Sequence, residues 1–167
     1  MPNCISQVCS AAVLAFTLML GGVAPGKAEG VSPAPVAASG VIAVKSAYGI
    51  DETVDRLKKD IALKGIVFFQ EIDQAALAAK AGIDLKPSVL LIFGNPPLGT
   101  QFMTANPQAG LDWPVRMLVY RDDKGVTWIA WTDFAWIAKR HGVTSRDAQF
   151  HMASEVAASI ASSATKH

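Results

Sequence analysis

The chain has 167 residues, 51% of them hydrophobic and 17% charged, with a mean hydropathy of +0.29. That length allows one compact domain, and the composition is too apolar for disorder and too interrupted by charge for a multi-spanning membrane protein. Lys and Arg number 15 against 14 Asp and Glu, so no net field draws nucleic acid or an anionic membrane.

In chain order, the first feature is the apolar run Ala11 to Val23, the length of a signal-peptide core and short for a transmembrane helix. Gly26 and Ala28 are small residues suited to a cut after Ala28, although no Lys or Arg precedes the run. Two readings stay open: a cleaved signal peptide over 1–28, giving a periplasmic or secreted protein, and an uncleaved N-terminal membrane anchor. The cysteines, Cys4 and Cys9, both precede the cut. A processed body would therefore have no thiol nucleophile, thiolate metal site or redox pair. Residues 29–40 carry Pro, Ala, Ser and Gly without periodicity and read as a flexible linker. The folded domain is expected over 41–165.

Val41 to Tyr48 is β-prone. The following stretch reads as a helix capped by Asp51 and closed by Gly65, with Val54, Leu57 and Ile61 as its buried stripe. Ile66 to Ile72 is a second strand. Asp73 caps a short Ala-rich helix ending at Gly82. Ser88 to Phe93, apolar from Val89 onward, reads as a central strand covered on both faces. Asn95-Pro96 starts a helix through about Thr104, and 105–114 is irregular with one helical turn. Val115 to Arg121 and Val126 to Thr132 form a hairpin about Asp122 to Gly125. Asp133 caps a helix closed by Gly142. Thr144 caps the last helix, on which Ala148, Met152, Val156 and Ile160 form the apolar stripe. The expected architecture is α+β, a single mixed or antiparallel sheet with helices packed mainly on one face.

Three local patterns resemble the domain of unknown function 302 family: the helix start Asp51 to Leu57, the strand and turn ending in Gly94-Asn95-Pro96, and the strand Trp113-Pro114-Val115-Arg116-Met117-Leu118-Val119-Tyr120. Asp133 matches an acidic position of that family, and the likeness runs from Val41 to about Ile137. The resemblance implies a small α+β sandwich, often dimeric, with no established activity. Members often have Cys where this chain has Val115, and Asp133 is followed by Phe134 instead of Pro.

The candidate ligand-binding residues are Asn95, Arg116, Tyr120, Trp131, Asp133 and Glu71. Asn95 offers an amide and a helix start to an anionic or carbonyl group, although capping alone explains the residue. Arg116 and Tyr120 share a strand face and suit a bidentate carboxylate; the alternative is a solvent- or dimer-facing arm. Asp133 is a general base only if burial raises its pKa, and an N-cap otherwise. Glu71 falls on the face of Val67 and Phe69, where partial burial would perturb it. Trp128 and Trp131 point to opposite faces, so that one fills the core and the other lines a cleft or interface. His151 and Glu155 share a helix face but do not complete a metal site, and His141 suits a helix C-terminus.

No metal, no cofactor and no nucleic-acid partner is expected, and membrane contact is expected only through an unprocessed N-terminus. The reading that these residues favour is an exported, non-enzymatic module for a small apolar or anionic ligand or a protein partner, with a second copy among the expected partners. The alternative is a cysteine-independent hydrolase or isomerase with Glu71 or Asp133 as base and Asn95 or Arg116 as charge stabiliser, which requires those groups to converge.

Overall fold

A computed structural model of the chain describes residues 39–166, so the expected signal segment and the linker up to residue 38 lie outside the described residues. The elements are β1 (Val41–Lys45), α1 (Ile50–Leu63), β2 (Val67–Asp73), α2 (Gln74–Lys80), β3 (Ser88–Gly94), α3 (Pro96–Ala105), a 3-10 turn (Pro107–Asp112), β4 (Val115–Arg121), β5 (Thr127–Thr132), α4 (Phe134–Arg140) and α5 (Asp147–Ser162). The strands form one five-stranded sheet in the order β1-β5-β4-β3-β2. Every neighbouring pair is antiparallel. The expected single sheet with its helix layer is therefore present.

Alternation along the strands separates two faces. The inner row, Ile42, Leu91, Phe93, Met117, Val119, Ile129 and Trp131, is closed by α1, α4 and α5 through Leu57, Ile61, Ile137, Phe150 and Ile160, all of them buried. The outer row holds Leu90, Ile92, Arg116, Leu118, Tyr120, Trp128 and Ala130, aligned across the sheet by the register. Of these, Leu90, Ile92, Leu118, Tyr120 and Trp128 are half-buried. β3 is thus an interior strand, flanked by β4 and β2, but sealed on its inner face only, so the cover on both faces expected for it is corrected. An antiparallel sheet can leave one face to solvent, and the unbroken apolar run Val89 to Phe93 does not by itself distinguish the two cases.

Two helix starts differ from expectation. The N-cap of α1 is Gly49, and Asp51 lies inside the first turn. Gly49 O accepts both the N–H of Thr53 and its Oγ1–H, at 3.0 and 2.7 Å. Thr53 in turn meets Ser46 Oγ, which donates to Ala164 O, so one buried hydroxyl pair ties the end of β1 to α1 and the tail of α5. Helix α5 begins at Asp147 with no side-chain cap, so Thr144 does not cap it. Its buried face is Phe150, Ala153, Ala157, Ile160 and Ala161, while Ala148 and Met152 are exposed. The stripe is rotated because alanines let the helix approach the layer closely and Phe150 stacks on Phe102 of α3, centroids 4.1 Å apart.

Candidate functional site

The six candidate residues do not converge. Asp133 caps α4, accepting the N–H groups of Ala135 and Trp136 at 3.3 and 3.2 Å. Glu71 is exposed, not partly buried, and pairs with Lys58 of α1 at 2.7 Å. Two strands, β4 and β3, separate the strand of Asp133 from that of Glu71, about 14 Å at the usual interstrand spacing. Trp131 lies in the core, with its Nε1 buried and without a hydrogen-bond partner. Tyr120 is on the outer face with Trp128 opposite it. Trp128 Nε1–H donates to Asp122 Oδ2 at 2.9 Å, and the Val126 and Lys124 N–H groups donate to Oδ1. These bonds, the indole one foremost, lower the pKa of Asp122 in the hairpin turn.

Arg116 does hold a carboxylate, but one of its own chain. Its Nη2 donates to Asp112 Oδ1 at 3.1 Å and to Leu111 O at 3.2 Å. Arg140 at the end of α4 donates to both oxygens of Asp112 at 3.1–3.2 Å, and His141 Nε2 stands 2.6 Å from Oδ2. Asn106 Nδ2–H donates to the His141 carbonyl at 2.7 Å. This cluster fastens the 3-10 turn to the start of β4 and the end of α4. It escapes sequence reading because Asp112 and His141 are 29 positions apart and His141 already has a local explanation at a helix end. The exposed pair His151 and Glu155 stands 3.6 Å apart, and no cluster of metal-ligating side chains occurs among the described residues.

The enclosed space of the domain lies elsewhere, where the end of β3 meets α3 and α5. A cavity of about 30 Å³, room for roughly one water-sized group, is walled by Phe93 and Gly94 of β3, Leu98, Gly99 and Phe102 of α3, and Ala153, Val156 and Ala157 of α5. Trp113, Val115, Phe134 and Ile66 complete the wall, and Asn95 stands at the rim. An adjoining depression of about 300 Å³ shares Ile66, Asn95, Leu98 and Val156 with it and adds Lys64 and Met152. The Trp113 indole forms its wall by lying on two glycines. A Cβ on Gly99 would sit 1.8 Å from Trp113 Nε1, and one on Gly94 would sit 3.1 Å away. Phe69 meets the same ring edge-on at 6.0 Å. It occupies a bulge in β2, where the register shifts between Phe68 and Gln70.

Asn95 is the one candidate from the sequence that reaches this cavity. It caps α3 weakly by side chain, accepting the Leu98 N–H at 3.4 Å, while its carbonyl accepts from Gly99 at 2.8 Å. The remaining lining was not signalled by residue type, because it is ordinary core-forming chemistry brought together from β3, α3 and α5.

These features define a small single-sheet α+β domain with a helix layer on one face and an apolar cavity at one end of it. A model of the family "domain of unknown function DUF302" matches residues 42–164, and the chain belongs to that family. It is similar to a solved structure, the uncharacterized conserved protein DUF302 from Bacillus stearothermophilus, at TM-score 0.69 and 19% identity, covering 76% of this chain and 99% of that one. It is also 38% identical over 105 residues to the fluoride-specific ion channel FluC 1 of Brucella suis biovar 1 (strain 1330), covering 63% of this chain and 41% of that protein. The match to FluC 2 of Brucella melitensis biotype 1 is likewise 38% identical and covers 39% of that protein. The chain thus spans about two fifths of the length of these curated relatives. No helix among the described residues is long and apolar enough to cross a membrane.

Proposed function

We propose that the chain is an exported, non-catalytic binding module that takes an apolar group of a small ligand into the cavity between β3, α3 and α5. The observation that carries this is the cavity itself, whose wall is aromatic and aliphatic apart from Asn95 at its rim. The cavity itself has room for about 30 Å³, a methyl- or water-sized group, and the adjoining depression for about 300 Å³, the low end of the usual range for ligand sites. The apolar run Ala11 to Val23 supports export. Fluoride conduction belongs to the relatives that bear that name and is no part of this proposal.

A ring that lies in the adjoining depression, dips an edge into the cavity and buries about 200 Å² of apolar area gains about 5 kcal/mol, equivalent to a dissociation constant of about 0.2 mM. Ligand-detected NMR with naphthalene- and cyclohexane-based probes at millimolar concentration is the matching test. Saturation transfer is expected from the wild type, and it should be lost in Val156→Phe, which narrows a half-buried position at the rim. Leu98→Trp, on the opposite side of the mouth, serves as the second blocking variant. Probes that do not bind, or that bind both folded variants as well as wild type, defeat the reading.

A second element is assembly. The outer sheet face carries a half-buried apolar row, Leu90, Ile92, Leu118, Tyr120 and Trp128, with Arg116 beside Ile92 and Lys45 beside Trp128 at its margins. A second copy is the occupant that such a self-matching surface favours, in keeping with the dimers common in the family. Light scattering should give a dimer for wild type and a monomer for Leu118→Glu; a wild-type monomer at 100-fold the concentration used for assay, about 1 mM, removes this element.

A further inference from the structure

We infer that the bound molecule is anchored by a single methyl group. Its body lies in the depression of about 300 Å³, a methyl at one end fills the cavity of about 30 Å³, and an oxygen at the other end meets Lys64. The inference rests on the binding reading above and names the kind of ligand this site takes, a small methyl-tipped ring with an oxygen-bearing head. The walls set that polarity. Cavity and depression share Ile66, Asn95, Leu98 and Val156, so a molecule seated in one borders the other. Beyond the shared residues their chemistry parts. The cavity continues onto Phe93, Phe102, Phe134 and the α5 alanines Ala153 and Ala157, whereas the depression continues onto Lys64 and Met152.

Size then decides what enters the apolar end. One water has room there, but a held water needs about two to four polar partners. The wall offers little of that kind: Asn95 stands at the rim with its Oδ1 already accepting the Leu98 N–H, and the Trp113 indole nitrogen is pressed against Gly99. A methyl needs no partner, and burying one is worth about fourfold in affinity. A branched group overfills the space and forces the packed wall apart. At the other end, Lys64 Nζ is 2.6 Å from Asp60 Oδ2. An ammonium has three N–H groups, so it keeps that partner and still donates to a ligand oxygen. A hydroxyl and a carboxylate both satisfy it, and the methyl is what discriminates.

The test titrates the full chain with benzyl alcohol, 4-methylbenzyl alcohol and 2-methylbenzyl alcohol by NMR. The two methyl isomers carry equal apolar area, but only the 4-methyl lies opposite the head. It should bind about fourfold more tightly than benzyl alcohol, and the 2-methyl isomer no better than benzyl alcohol. Intermolecular NOEs are expected from the 4-methyl group to the methyls of Ala153 and Ala157. Ala157→Val and Val115→Ile, each adding carbon to the cavity wall, should bring the ratio of 4-methylbenzyl to benzyl alcohol affinity down to about one. Isomers that bind alike, missing NOEs, or a ratio that survives in both variants overturn the methyl anchor and leave the binding reading standing. Silence from the benzyl alcohols while the naphthalene or cyclohexane probes bind overturns this inference alone, and silence from all of them removes both.

Discussion

Replacing Asp112 by alanine removes a carboxylate that is only 3% exposed and that four donor contacts converge on. The cost is unevenly distributed among its partners. The side chains of Arg116 and Arg140 are 51% and 45% exposed and regain water when the carboxylate goes, whereas His141 is 4% exposed and is left buried without its partner. Stranding a buried polar group costs about 1–3 kcal/mol, and the space vacated by the side chain adds about 1. The sum is about 3 kcal/mol, which for a domain of this size lowers Tm by roughly 10 °C. Each exposed arginine, by contrast, should cost under about 1 kcal/mol on truncation. Thermal unfolding followed by circular dichroism separates these cases: a large drop for Asp112→Ala, a small one for Arg116→Ala and Arg140→Ala, and a double variant Asp112→Ala/His141→Ala milder than the two single losses added together. The reasoning fails if Asp112→Ala melts within about 3 °C of wild type, or if either arginine variant matches it.

Two further outcomes follow from contacts already described. Gly99→Ala should lower stability by about 1–3 kcal/mol despite the better helix propensity of alanine, because its Cβ meets the Trp113 indole at 1.8 Å; a stabilised variant in a urea melt would contradict the glycine seat of that ring. The depressed pKa of Asp122 stabilises the folded state above the ordinary carboxylate range near 4, and this is lost as pH falls through its lower folded value. The gap in Tm between wild type and Asp122→Asn should therefore be full at pH 6 and close on acidification toward pH 2; a gap that is independent of pH refutes the assignment.

Much of the domain was legible before any coordinates. The Asp73, Asn95 and Asp133 caps, the Asp122 to Gly125 hairpin and the α1 stripe of Val54, Leu57 and Ile61 were read from local chemistry, and local chemistry decides them. The errors arose where a tertiary contact outweighed a local signal. Thr144 is a good cap residue, yet α5 starts at Asp147, where Phe150 can reach Phe102. Met152 and Val156 outrank alanine in hydrophobicity, but close helix packing selects the smaller Ala153 and Ala157. Glu71 looked inward by alternation, and it does lie on the inner-face row, but at the sheet edge, where Lys58 and water meet it. The cavity and the Asp112 cluster were beyond reach for a different reason. Both are made by segments far apart in sequence, and none of their residue types is distinctive alone.

The position of β1 bears on when the domain can finish folding. Val41 is aligned with Thr132, and the strand pairs with β5 alone, so roughly ninety residues must be present before the first strand finds its only neighbour. Until the hairpin of β4 and β5 emerges, the leading segment has nothing to dock on and stays extended. The β1 edge of the sheet therefore cannot close before the C-terminal hairpin has formed, although β1 is the first strand of the described residues.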